Sequence, residues 1–102
     1  MTDYPAKRNA DRCPTHPGEF IADVLLDLPV SKVAVAQELG ISRNHLHGIL
    51  SGRKPVSPTV AVKLAAMLGG TAASFLRMQA AFDAWHAERD VDVSGIRRLK
   101  AA

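Results

Sequence analysis

With 102 residues, 47% of them hydrophobic and only 5% aromatic, the chain is long enough for one compact core and too short to divide into two. Its one cysteine, Cys13, excludes an internal disulfide and a cysteine-based zinc site, which suits a reducing cytoplasm. The apolar runs break at Lys, Asp or Gly well short of a membrane span, and the N-terminus lacks the apolar core of a signal peptide, so no membrane association or export is expected.

The formal charge of +3 is mild, but its distribution is informative. Between positions 31 and 54 stand Lys32, Arg43, Arg53 and Lys54 against Glu38 alone, whereas positions 17 to 30 hold Glu19, Asp23 and Asp27 and no cation. Ala, Val and Leu supply most of the apolar content, a mixture suited to helix packing, so an all-α fold is expected.

In chain order, residues 1–15 carry Pro5, Pro14 and alternating charge with little apolar periodicity, and read as a flexible N-terminal arm. Pro17 suits the first position of a helix, Glu19 the first turn, and Pro29 forbids continuation beyond Leu28. A first helix is therefore expected over 17–28, with Phe20, Ile21, Val24, Leu25 and Leu28 forming the buried stripe.

Ser31 can cap a short second helix and Gly40 can close it with a left-handed residue. Ser42 then caps a third helix that stops at Gly52, so only Gly40, Ile41 and Ser42 separate the two, the spacing of a helix-turn-helix. Ile41 can fill the angle between them, and Ala36 is small enough for close approach. Ser57-Pro58 starts a fourth helix, apolar at Val60, Val62, Leu64, Ala65 and Leu68 and ending at Gly69-Gly70. A fifth, of about four turns, follows Thr71. Positions 91–102 alternate Val, Asp and Ser and then turn basic at Arg97, Arg98 and Lys100, compatible with a short strand or an extended tail.

On a helix from Arg43 to Ser51, burying Leu46, Ile49 and Leu50 turns Arg43, Asn44 and His47 outward. Arg can grip guanine O6 and N7, and Asn can grip adenine N6 and N7, so this face suits base edges in the major groove of double-stranded DNA. Ser42, His45 and the helix N-terminus favour a phosphate or a nearby base. Gly48 withholds a side chain from the outward face and concentrates readout in the first turn. Ser51, at the end of the helix, is counted among the DNA contacts, and Lys32, Arg53 and Lys54 can flank the groove and neutralise phosphates.

Phe75, Met78, Phe82 and Trp85 approach a three-and-four repeat on the fifth helix, more apolar surface than one side of a last helix needs. A homodimer through that stripe is expected, with two reading helices ~34 Å apart on an inverted-repeat operator. An enzyme would need a cluster from His45, His47, His86 and Cys13. Because His45 and His47 lie two apart on a helix and point in different directions, no catalytic, metal or cofactor site is expected.

The stretch VAVAQELGISRNHLHGILSGRKPVSPTVAVKLAAMLGG resembles the Cro-type (XRE-like) helix-turn-helix domain of HigA and VapI antitoxins. His16-Pro17-Gly18 resembles the opening of such proteins, and Thr71 to Trp85, including Gln79, their fifth helix, so the likeness spans about residues 16–99. It implies a five-helix fold with a DNA-binding and dimerisation unit over 16–90 and a tail over 91–102. It also implies a homodimer, repression of its own operon and neutralisation of a HigB-type toxin that cleaves messenger RNA on the ribosome. Carried over by position, Ser42, Arg43, Asn44 and His47 become base or phosphate contacts, and Lys32 the phosphate contact at the start of the second helix. Phe75 stands where relatives usually carry Trp, and Gly48 removes one possible contact. The alternatives are a solitary repressor with the same DNA face and no toxin, and a protein-interaction module that binds no DNA.

Overall fold

The computed structural model describes residues 11–99, which form five helices: α1 (Pro17–Leu26), α2 (Lys32–Leu39), α3 (Arg43–Leu50), α4 (Pro58–Leu68) and α5 (Ala72–Asp90). Most of the arm expected at 1–15, and Lys100 of the basic tail, lie outside the described residues.

Each helix begins on a side-chain acceptor. Ser31, Ser42, Ser57 and Thr71 accept from the backbone N–H three residues on, at 3.0 to 3.2 Å, and each such cap contributes about 1 kcal/mol. The cap of α1 is different: His16 Nδ1 accepts from the Gly18 N–H at 2.8 Å, and Pro17 follows at the first helical position, where its missing N–H costs nothing. Gly40 closes α2 at φ 70°, and its terminal carbonyl, that of Leu39, accepts from Lys63 Nζ of α4 at 3.3 Å. A cation at a helix C-terminus is the favourable arrangement.

The core consists of Ile21, Leu25, Val35, Ala36, Leu39, Leu46, Ile49, Val56, Val60, Ala61, Leu64 and Phe75, all nearly inaccessible. Two expectations for α1 need correction. The helix ends at Leu26 because Pro29 disfavours helical geometry at Leu28, and the last turn tightens through Asp27 N–H to Val24 O and Leu28 N–H to Leu25 O. Phe20 and Leu28 are 47% and 41% exposed. Only the Ile21–Leu25 edge enters the core, and Phe20 lies on the flank, its ring 6.4 Å from that of Phe75.

Helix α5 runs past the four turns expected, to Asp90, and beyond it residues 91–99 contain no strand. Two local bonds shape that segment, Ser94 N–H to Asp92 Oδ1 and Ile96 N–H to Val93 O. The last residues of the expected arm lie against α5. Cys13 and Pro14 are half-buried, with Cys13 Sγ 3.6 Å from His86 Nε2, because the side of α5 that carries His86 faces the start of α1.

Candidate nucleic-acid interface

The turn between α2 and α3 is closed by two backbone bonds, Ile41 N–H to Ala36 O and Gly40 N–H to Gln37 O, the pattern that satisfies helix-end carbonyls after a left-handed residue. Ile41 is half-buried against the core, and Ala36 is 3% exposed where α2 comes close to its neighbours. The result is a rigid corner that fixes α3 relative to α2.

Helix α3 is sharply two-sided. Leu46 and Ile49 are each 1% exposed, Leu50 is half-buried, and Arg43, Asn44 and His47 stand in solvent. A groove lined by Lys32, Ser42, Arg43, Asn44, Leu46 and His47 brings the start of α2 and the outer face of α3 together. The Ser42 hydroxyl oxygen takes the His45 N–H at 3.0 Å. The N–H groups of Arg43 and Asn44, in the first turn, have no acceptor within the helix and point toward its N-terminus. His45 is half-buried and does not line the groove.

The loop after α3 folds back onto it. Arg53 and Lys54 N–H both donate to the Gly48 carbonyl, at 2.8 and 3.0 Å, with Gly52 at φ 80° making the reversal. The Ser51 hydroxyl donates to the same carbonyl at 3.2 Å and accepts from Arg53 Nε at 3.1 Å. Ser51 thus orients Arg53. Cations gathered at the C-terminus of α3 also lie in the favourable field of its dipole.

Gly48 must be reassigned. It is buried, and a Cβ built on it would meet Lys54 Cδ at 2.7 Å and Cγ at 2.9 Å. The missing side chain leaves room for the aliphatic stem of Lys54, so Gly48 positions a cation and is no gap in a base-reading face.

Two buried polar side chains, carried into the reading only by family likeness, brace this loop from beneath. Gln79 of α5 is 5% exposed; its Oε1 accepts from the Val56 N–H at 2.9 Å, and its Nε2 donates to Asp83 Oδ1 at 3.0 Å. His16 is 2% exposed, lies beneath Gly52, and sets its ring edge-on to Phe82 at 4.8 Å. Burial pushes its imidazole below the ordinary 6.5, against the opposing pull of Asp83, the Lys54 backbone and Glu19. A bare Nδ1 at the α1 cap fits that neutral state. The local signal for Gln79 was a polar residue inside an apolar helical pattern, and for His16 a side-chain acceptor directly before a proline at the first helical position.

The expected helix-5 stripe is partly covered within the chain. Phe75 is 3% exposed within the core, Phe82 is half-buried between His16 and His86, and Met78 and Trp85 are half-buried. Arg89 lies over the Trp85 ring at 3.7 Å. Residues 13–16, which precede α1, cover the Phe82–His86 side of α5. Among the described residues there is no cluster of three metal-ligating side chains, and no helix is long and apolar enough to cross a membrane.

Residues 29–77 match the model of a helix-turn-helix domain family. The chain is 34% identical over 83 residues to the HTH-type transcriptional regulator YddM of Escherichia coli K12, covering 81% of this chain and 88% of that protein. It is 34% identical over 79 residues to antitoxin HigA-1 of Vibrio cholerae, covering 76% and 74%. The solved structure of antitoxin GraA in complex with its operator superposes with a TM-score of 0.75 at 31% identity, covering 88% of this chain and 95% of that one. By fold, by the helix-turn-helix and by these likenesses, the chain belongs to the HigA-type family of helix-turn-helix antitoxins.

Proposed function

We propose that this protein is a cytoplasmic, non-enzymatic antitoxin that represses its own operon, binding an inverted-repeat operator as a homodimer and neutralising a HigB-type toxin. The observation that carries the reading is the groove in which Lys32, Ser42, Arg43, Asn44 and His47 converge on the outer side of a helix whose inner side is locked into the core. Arg43 and Asn44 read base edges, Ser42 and the α3 N-terminus meet a phosphate, and Lys32, Arg53 and Lys54 neutralise the backbone on either side. His45 assists at the N-terminal turn, and Ser51 acts through Arg53.

Binding of the purified protein to the duplex directly upstream of its own coding sequence, followed by fluorescence anisotropy across a salt series, tests the DNA half. Saturable binding weakened by salt is expected, and equal affinity for unrelated duplexes would contradict specific readout. Co-expression with the adjacent small gene tests the toxin half. Relief of growth arrest and recovery of a complex support it, whereas toxicity unaffected by this chain favours the solitary repressor.

A further inference from the structure

Eight of the large hydrophobic side chains exposed among the described residues fall in two groups. Leu26, Leu28, Val30 and Val33 crowd the corner between α1 and α2; Val91, Val93, Ile96 and Leu99 line the tail, at 57%, 60%, 71% and 78% exposure. The corner borders an apolar groove lined by Ala22, Leu25, Leu28, Val30, Val35 and Leu50, which Lys32 at the start of α2 and His47 and Ser51 of the α3 segment also line. Near it, Asp23 on α1 and Asp27 at the C-cap of α1 are exposed, against the one cation Lys32 in the groove lining. The tail carries the opposite charge at Arg97 and Arg98, with Asp92 held in its own turn by Ser94.

We infer that the tail, residues 91–99, docks into the α1–α2 corner of a second copy of this chain, and that the second copy's tail docks reciprocally in the first. The two patches match in apolar content and are opposite in charge, and a two-fold pairing covers both of them twice. A chain cannot satisfy its own corner this way. Helix α5 runs back along α1, with Phe75 beside Phe20 and Phe82 and His86 beside His16 and Cys13. The tail therefore leaves from the end of α1 opposite the corner. The inference rests on the homodimer proposed above and gives that homodimer its interface in place of the helix-5 stripe.

The test is sedimentation equilibrium of the full chain without DNA, for the wild type, for Val93→Asp with Ile96→Asp, for Arg97→Glu with Arg98→Glu, for Asp23→Arg with Asp27→Arg, and for the last two pairs combined. All these residues are exposed, and circular dichroism checks that the fold persists. A wild-type dimer is expected, weakened about tenfold or more by the apolar pair and by either charge reversal alone. Combining the reversals should bring the dissociation constant back toward the wild-type value. A wild-type chain monomeric at high concentration overturns the homodimer and the tail exchange together. A dimer indifferent to the tail substitutions overturns the exchange alone, as does failure of the combined reversals to restore affinity.

Discussion

Gly18 in α1 lies so close to the backbone carbonyl of Ile49 in α3 that a Cβ at position 18 would overlap the carbonyl oxygen and stand 2.8 Å from its carbon. The neighbour is backbone and cannot swing aside, so α1 would have to move off α3, the helix proposed to face DNA. Gly18→Ala should destabilise the fold by about 3 kcal/mol, near the top of the range for overpacking. Urea unfolding of the variant checks this, and a midpoint equal to wild type would show that α1 yields without cost.

Gly48 presents the opposite case, because the atoms a new methyl group would meet belong to the flexible stem of Lys54. Gly48→Ala should leave stability unchanged or raise it by about 0.5 kcal/mol through helix propensity. Displacing Lys54 should meanwhile weaken operator binding equally for all sequences and lower the salt slope by about 1. Paired melting and salt-titration measurements separate the two effects. A change confined to one base position would return Gly48 to the base-reading face.

Gln79→Leu removes the acceptor of the Val56 N–H, a backbone donor buried beside the core. Leaving that group unpaired should cost about 1–3 kcal/mol. Amide exchange at Val56, read by NMR, should accelerate in the variant; unchanged protection would mean that the loop is braced without Gln79.

Neutral His16 is favoured in the folded chain, its proton affinity lowered chiefly by burial. A base whose folded pKa is depressed contributes stability that is complete above the unfolded value, near 6.5, and is lost as pH falls through the folded value. Protonation at Nδ1 would also remove the acceptor of the Gly18 N–H. His16→Asn keeps an acceptor at the α1 cap and does not titrate. Melting temperatures from about pH 7.5 to about pH 5.5 should fall more steeply for wild type than for this variant; parallel curves would remove His16 from the acid response.

What the sequence disclosed was mostly local. Ser31, Ser42 and Ser57 act within one turn of their own helices, and Gly40 closes α2 by its own backbone geometry, so five helices and a three-residue turn could be read directly. The outward set on α3 followed from burying Leu46 and Ile49. Periodicity misjudged Phe20 and Leu28, because apolar spacing marks a stripe without saying how much of it a neighbour covers. Gln79 depends on a distant segment, its partner Val56 being 23 residues away; Gly48 depends on the loop after α3 turning back to bring Lys54 over it; and the His16 cap is local, its Gly18 donor two residues on, but rests on a side chain outside the usual Ser, Thr, Asp and Asn caps. The helix-5 stripe is partly covered because residues 13–16 come back over its Phe82–His86 side.

The account depends most on α3 presenting Arg43 to a base. The direct measurement is the affinity of wild type and Arg43→Ala for the operator and for every single-base variant of it. The substitution should cost about 1–3 kcal/mol on the parent sequence and abolish discrimination at one base pair per half-site while preserving it elsewhere. An unchanged affinity, or a loss that is uniform over all variants with every preference retained, would contradict base reading by Arg43.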